Sequence, residues 1–168
     1  MTDSAIQDAI SGAVAYLTAH PDEARYTDSS ATATLTRGLA VTVAGPDGAT
    51  VRTDMPKSVG GQGAAPSPGW LLRAAQASCL ATLIAMRAAQ LGLGHGPIEV
   101  VVDSESDDRG ILGIDDSVPA GPLSSRARVS VTMTDASPQE LVRWADQHCP
   151  VQDAVRRAVP STLEVAAS

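Results

Sequence analysis

The run from Pro66 to Gly92, PSPGWLLRAAQASCLATLIAMRAAQLG, constrains this chain more than any other stretch. Ser67 can cap a helix, Pro68 fits the first turn, where no N–H partner is needed, and Gly92 supplies a stop. Between them nearly every residue is apolar, from Leu71 and Leu72 through Leu80, Leu83 and Ile84 to Leu91. A helix that is apolar almost all round is buried almost all round. The exceptions form a stripe: at 100° per residue Arg73, Gln76, Arg87 and Gln90 share one narrow face, with Cys79 at its edge. A thiol thus stands where an apolar core meets a few polar groups. Arg73 and Arg87 shorten the uninterrupted apolar run well below the ~20 residues a bilayer needs, so this reads as a core helix and not a membrane span.

The material for covering such a helix is limited. The 168 residues fit one domain with a real core, but aromatic residues make up only 2% and Phe is absent, so the core must come from Ala, Val and Leu. Small side chains bury little area each, ~0.8 kcal/mol per CH₂, which calls for close helix packing or a second subunit. The formal charge of −7 and the lack of any basic run argue against a nucleic-acid surface. The start, MTDSAIQDAI, carries an acid where a signal peptide has its positive region and lacks an apolar core segment, so the expected location is the cytosol.

In chain order, residues 4–20 read as an amphipathic helix on Ile6, Ile10, Ala13, Val14 and Leu17, ended by Pro21. Residues 1–28 form an N-terminal extension and 29–168 the main domain. From Ser30 to Val43 alternation predicts a strand, interrupted at Arg37-Gly38 by a bulge or kink that re-aims a side chain. Pro46-Asp47-Gly48 is a turn, and residues 49–53 return as a second strand. Val59-Gly60-Gly61-Gln62-Gly63 reads as a flexible loop feeding the long helix; Pro66 stands where a dinucleotide fingerprint needs its third glycine.

Beyond the helix, Ile98, Val100 and Val102 mark a half-buried strand on which Asp103 and Glu105 read as solvated residues. A turn follows at residues 107–110 and another strand at 123–134, with Ala127, Val129, Val131 and Met133 inward. Ser137-Pro138-Gln139-Glu140 is a capping box opening a helix to about His148 that buries Leu141, Trp144 and Ala145. Cys149-Pro150 opens another, with Val151, Ala154, Val155, Ala158 and Val159 on one face, and residues 161–166 close the chain as a strand. Segregated helices and antiparallel strands give an α+β fold.

Cys149, before a proline at a helix start, lies near unpaired backbone N–H groups that favour a thiolate by ~0.3 to 1 kcal/mol, while one pKa unit needs ~1.36. Cys79, mid-helix in apolar surroundings, has no dipole to help it and burial raises its pKa; only a nearby arginine reverses that. Both also fit as ordinary buried cysteines. No ligand spacing joins them to His20, His95 or His148, so no metal site is expected.

Pro66-Ser67-Pro68, Leu71-Leu72, Ala74-Ala75 and Ser78-Cys79-Leu80-Ala81, then Asp108-Arg109-Gly110 and Cys149-Pro150-Val151, resemble the OsmC/Ohr family of thiol-dependent peroxidases. The resemblance spans roughly residues 30–166, leaving the first helix as a subfamily extension. It implies an intertwined homodimer with two long central helices packed between sheets shared by both chains. It also implies that a Cys79 thiolate attacks an organic hydroperoxide, releasing an alcohol and leaving a sulfenic acid. Cys149 then resolves that acid to a disulfide, which lipoyl-type dithiols or small thiols reduce; no metal, flavin or other cofactor is required. In the peroxidase members the residue after the second proline is typically Glu, which positions an arginine over the thiol. Here that position is Gly69, and Arg37 matches the family's arginine, with Arg73 and Arg87 as alternatives. Two other readings stand beside catalysis: a protein of the same fold that binds an apolar ligand beside Cys79, its entrance widened by Gly69, and a redox sensor.

Overall fold

In the computed structural model, which describes residues 3–133 and 137–165, helices alternate with short antiparallel strands. The order is α1 (Asp3–Ala19), β1 (Thr32–Arg37), β2 (Ala40–Ala44), β3 (Thr50–Thr53), α2 (Pro68–Gln90), β4 (His95–Glu105), α3 (Asp108–Ile111), β5 (Ser124–Met133), α4 (Pro138–His148) and α5 (Pro150–Arg156). Two units divide the chain, one of residues 1–7, 76–102 and 126–168, the other of residues 8–75 and 103–125.

The first unit has its core where the spacing of α2 puts one. Leu80, Ile84 and Ala88 recur every four residues, so they stack on one face and meet Leu141 and Ala145 of α4, themselves four apart. Leu93, Ile98, Val100, Val129 and Met133 flank the cluster from the β4–β5 pair and the turn before it. Fully burying a side chain such as Leu80 or Ile84 contributes ~1.5–3 kcal/mol. Within this chain α2 is not covered on every face, however: Trp70 and Met86 stay exposed, and Leu83 and Ala85 are half-buried.

The second unit carries the antiparallel sheet β1-β2-β3. Alternation over residues 30–43 hides a break, because Gly38 (φ +58°) and Leu39 form a turn and the stretch is two paired strands. The expected bulge is there too, as a register shift between Leu35 and Arg37 that sets Arg37 opposite Ala40. Residues 54–66 are tied down and not a loose tether. Asp54, 2% exposed, accepts the N–H groups of Met55 (2.8 Å), Gln62 (3.1 Å) and Ala64 (3.1 Å), and its own N–H donates to the Pro66 carbonyl (3.2 Å). At Gly61 a Cβ would lie 1.8 Å from the Met55 carbonyl oxygen, so only glycine fits.

Other expectations need correction. Residues 161–165 form no strand: Leu163 and Val165 are more than 90% exposed and meet no pairing edge, and Ala166 lies outside the described residues, as does Thr134 at the end of the expected 123–134 strand. α5 stops at Arg156, so Ala158 and Val159 do not extend its face, and none of its residues is fully buried. Ser137 does precede α4 with Pro138 in the first turn, but its hydroxyl donates to the Gln139 side chain (2.9 Å) and caps no backbone N–H. The 107–110 turn is the short helix α3, capped by the Asp107 carboxylate.

Candidate functional site

The first unit brings the two thiols together although 70 positions separate them in sequence. Cys79 lies on the edge of the buried face of α2, one residue before Leu80, and Cys149 sits at the junction of α4 and α5, where α4 packs through Leu141 and Ala145. The Cys79 and Cys149 thiols lie near enough to each other to influence each other's protonation, and the Val151 backbone N–H lies near enough to the Cys79 sulfur to favour its charged form. Cys149 is completely buried, whereas Cys79 is half-buried.

The electrostatics differ from the expectation in one respect. Cys149 makes no capping hydrogen bond to α5; the amide at the second position of that helix serves Cys79 instead. Cys79 therefore does receive help from a helix start. Burial nonetheless pushes its thiol above the ordinary value and the neighbouring Cys149 thiol pushes in the same direction, with the Val151 amide opposing both. The raised Cys79 pKa favours the thiol over the thiolate that acts as the nucleophile.

Elsewhere in the first unit the Arg87 guanidinium lies 4.5 Å from the Trp144 ring centroid and donates to Gln90 Oε1 (2.6 Å). His148 stacks on the same Trp144 ring, 4.1 Å between centroids, and its Nδ1 is hydrogen-bonded to the Trp144 carbonyl oxygen (2.7 Å). Sequence reasoning gave Trp144 only a packing role; its position four residues before His148 was the available signal.

In the second unit Arg73 donates to Ser104 Oγ (3.2 Å) and lines a cavity of about 310 Å³ with Ser67, Gly69, Leu72 and Asp108. A Cβ at Gly69 would meet nothing nearer than Ser67 Oγ at 3.9 Å, so there is room for a side chain. Arg37, at the end of β1, lines another cavity of about 480 Å³. Of the three arginines considered, Arg73 and Arg87 are thus engaged and Arg37 makes no side-chain hydrogen bond or ion pair among the described residues. Asp54 went unnoticed in the sequence because the amides it gathers lie eight and ten residues away. Among the described residues no three His, Cys, Asp or Glu side chains cluster to hold a metal ion.

Residues 61–164 match the model of the family described as OsmC-like protein. No curated protein matches the chain significantly. Among solved structures, an OsmC-like protein from Mycoplasma pneumoniae is similar with a TM-score of 0.66 at 13% identity, over 80% of this chain and 91% of that one. An organic hydroperoxide resistance protein OsmC from Legionella pneumophila gives 0.56 at 21% identity, over 79% and 91%. One from Elizabethkingia anophelis gives 0.58 at 18%, over 80% and 91%.

Proposed function

Because the chain belongs to the family of OsmC-like proteins, we propose that it is a thiol-dependent peroxidase that reduces organic hydroperoxides to alcohols through Cys79 and Cys149. The single observation that supports this most is the proximity of the two thiols combined with their unequal exposure. A peroxide can reach only the half-buried sulfur, so Cys79 is the peroxidatic residue and the buried Cys149 the resolving one.

The chemistry balances in two steps. The Cys79 thiolate attacks the terminal oxygen of ROOH; the O–O bond breaks, sulfur becomes a sulfenic acid, and the leaving alkoxide takes a proton to give ROH. Cys149 then attacks the Cys79 sulfur, a disulfide forms, and hydroxide leaves as water. An external dithiol, of lipoyl type, or two small thiols supply the two electrons that restore both thiols. The Val151 N–H is placed to steady negative charge on the Cys79 sulfur. Arg37, which has no other partner among the described residues, takes the part of the family's arginine.

The active form in this reading is a homodimer in a reducing, cytosolic compartment. Its support is uncovered apolar surface in a chain of this size: Leu35 is 64% exposed, Ile111 60% and Ile114 68%. A second reading, an apolar-ligand carrier without turnover, draws on the cavity that Gly69 lines; ligand retention in Cys79→Ala supports it.

Mass spectrometry of the reduced protein seconds after one equivalent of an organic hydroperoxide tests the proposal. The expected product has lost two hydrogens, mapped to a Cys79–Cys149 bridge. Two thiols still free after minutes would overturn it.

A further inference from the structure

The sheet of the second unit holds a feature that the thiol chemistry does not use. Arg37 and Arg52 both line the cavity of about 480 Å³, together with Thr36, Gly38, Leu39, Ala40, Asp54 and Gln62 among others. Arg37 pairs with Ala40 on one side of β2, and Arg52 pairs with Thr42 on the other. Ala40 and Thr42 are two apart on β2, so they share a face, and residues directly opposite them project to that same face. Without the register shift at residues 35–37, alternation would send Arg37 to the opposite side. The bulge therefore brings it round to join Arg52.

Two strand spacings across and two residues along separate the Cα atoms of the arginines by roughly 12 Å. Two extended arginine side chains can close that distance on one shared group in the cavity that Ala40 also lines. Neither guanidinium has a hydrogen-bond or ion-pair partner among the described residues, in a chain of formal charge −7 where acids are plentiful. Asp54, the acid in the lining, has its carboxylate oxygens turned to three backbone N–H groups of its own loop. Positive charge thus faces this cavity without a carboxylate assigned to it. Planar guanidinium forks are suited to phosphate and carboxylate oxygens.

From this geometry we infer that the cavity is an oxyanion site, in which Arg37 and Arg52 converge on the phosphate or carboxylate group of a small ligand. The inference concerns binding and stands whether or not the thiols consume peroxide; an Arg37 engaged with the anion is not at the same time available to Cys79, so its two roles are alternatives.

Calorimetric titration of the full-length reduced protein with inorganic phosphate, and separately with acetate, tests this at constant ionic strength set by chloride. Saturable binding of phosphate identifies a phosphate-bearing ligand, and of acetate alone a carboxylate. Arg52→Gln is expected to weaken the binding at least about tenfold and Arg52→Lys to weaken it less, since the charge stays and the fork is lost. Arg109→Gln, whose native partner is Asp107, serves as the control and is expected to bind as the wild type does. No heat beyond the chloride blank for either anion, or equal affinity in Arg52→Gln and wild type, overturns the site. If Arg52→Gln fails to fold, an affinity in Arg52→Lys equal to the wild type's overturns it as well, provided Arg109→Gln binds equally.

Discussion

Where α4 gives way to α5 the chain buries the Cys149 thiol completely, whereas around Asp54 it buries a carboxylate beneath backbone amides of its own loop. The difference follows from what each group demands. A thiol is a weak donor and acceptor that packs like a small hydrophobe, so apolar neighbours can surround it at little cost. A carboxylate taken from water must recover several hydrogen bonds, and only a loop, with amides not spent on a ladder, can turn that many toward one point. One region is therefore held by packing and the other by hydrogen bonding. They should fail in different ways.

The largest contrast is between chemistry and stability at the thiol pair. Cys79→Ser keeps the shape of the side chain, and it is expected to abolish peroxide consumption while leaving the urea midpoint nearly unchanged. Cys149→Ser should permit one turnover, after which Cys79 advances to sulfinic acid for want of a resolving partner. Peroxide assays with mass spectrometry of Cys79 check both, and unchanged turnover in Cys79→Ser would break the assignment. Because burial and the neighbouring Cys149 thiol raise the Cys79 pKa, the rate of its oxidation should climb as pH rises through and above neutrality. A rate flat across that range would mean that the thiolate is already formed.

Packing defects come next. Ile84, fully buried in the α2–α4 cluster, should lose about 2–5 kcal/mol on truncation to alanine, measured by urea unfolding. The matching lesion in the other region is Gly61→Ala. It forces a Cβ onto the Met55 backbone carbonyl, which cannot swing aside as a side-chain tip can, so the tied loop has to shift and a comparable loss is expected. The two regions also separate by pH. The Asp54 carboxyl lies below its ordinary 3.8, first because of the Ala64 N–H. Its contribution to stability is complete above 3.8 and is lost as the pH falls through the lower, folded value. Asp54→Asn should flatten that acid-side decline; Ile84→Ala should shift the whole curve without changing its slope.

How much of this was legible in the sequence follows the same division. The bounds of α2, the α4 face at Leu141 and Ala145, and the turn at Pro46-Asp47-Gly48 are local signals, and they could be read. The hairpin at Gly38-Leu39 could not, because a two-residue turn leaves the alternation of residues 30–43 almost unbroken. Residues 161–165 have strand composition but no edge to pair with, and composition cannot report a missing partner. The loop at 59–63 read as flexible because its order is imposed from Asp54, outside the window. Nothing in spacing could have joined Cys79 to Cys149; the family resemblance did that. The amide that reaches Cys79, from Val151 rather than toward Cys149, is a matter of how two helices dock.

The smallest expected effect is at Gly69, and it bears on both regions. In the peroxidases that the sequence resembles, a glutamate at this position orders the arginine of the site, and here there is only hydrogen. Nothing blocks the missing side chain, since the nearest heavy atom to a Cβ is Ser67 Oγ at 3.9 Å. In the first turn of α2 an acid also meets the favourable end of the helix dipole, worth ~0.3–1 kcal/mol. Gly69→Glu should therefore leave stability unchanged or slightly raised. If the glutamate orders an arginine as the resemblance implies, peroxide consumption should rise by about tenfold at most, equivalent to ~1.4 kcal/mol in the barrier. A stable variant with no gain in rate would mean that this protein orders its thiolate without a carboxylate at that position, and that the Val151 amide at the packed site carries the task alone.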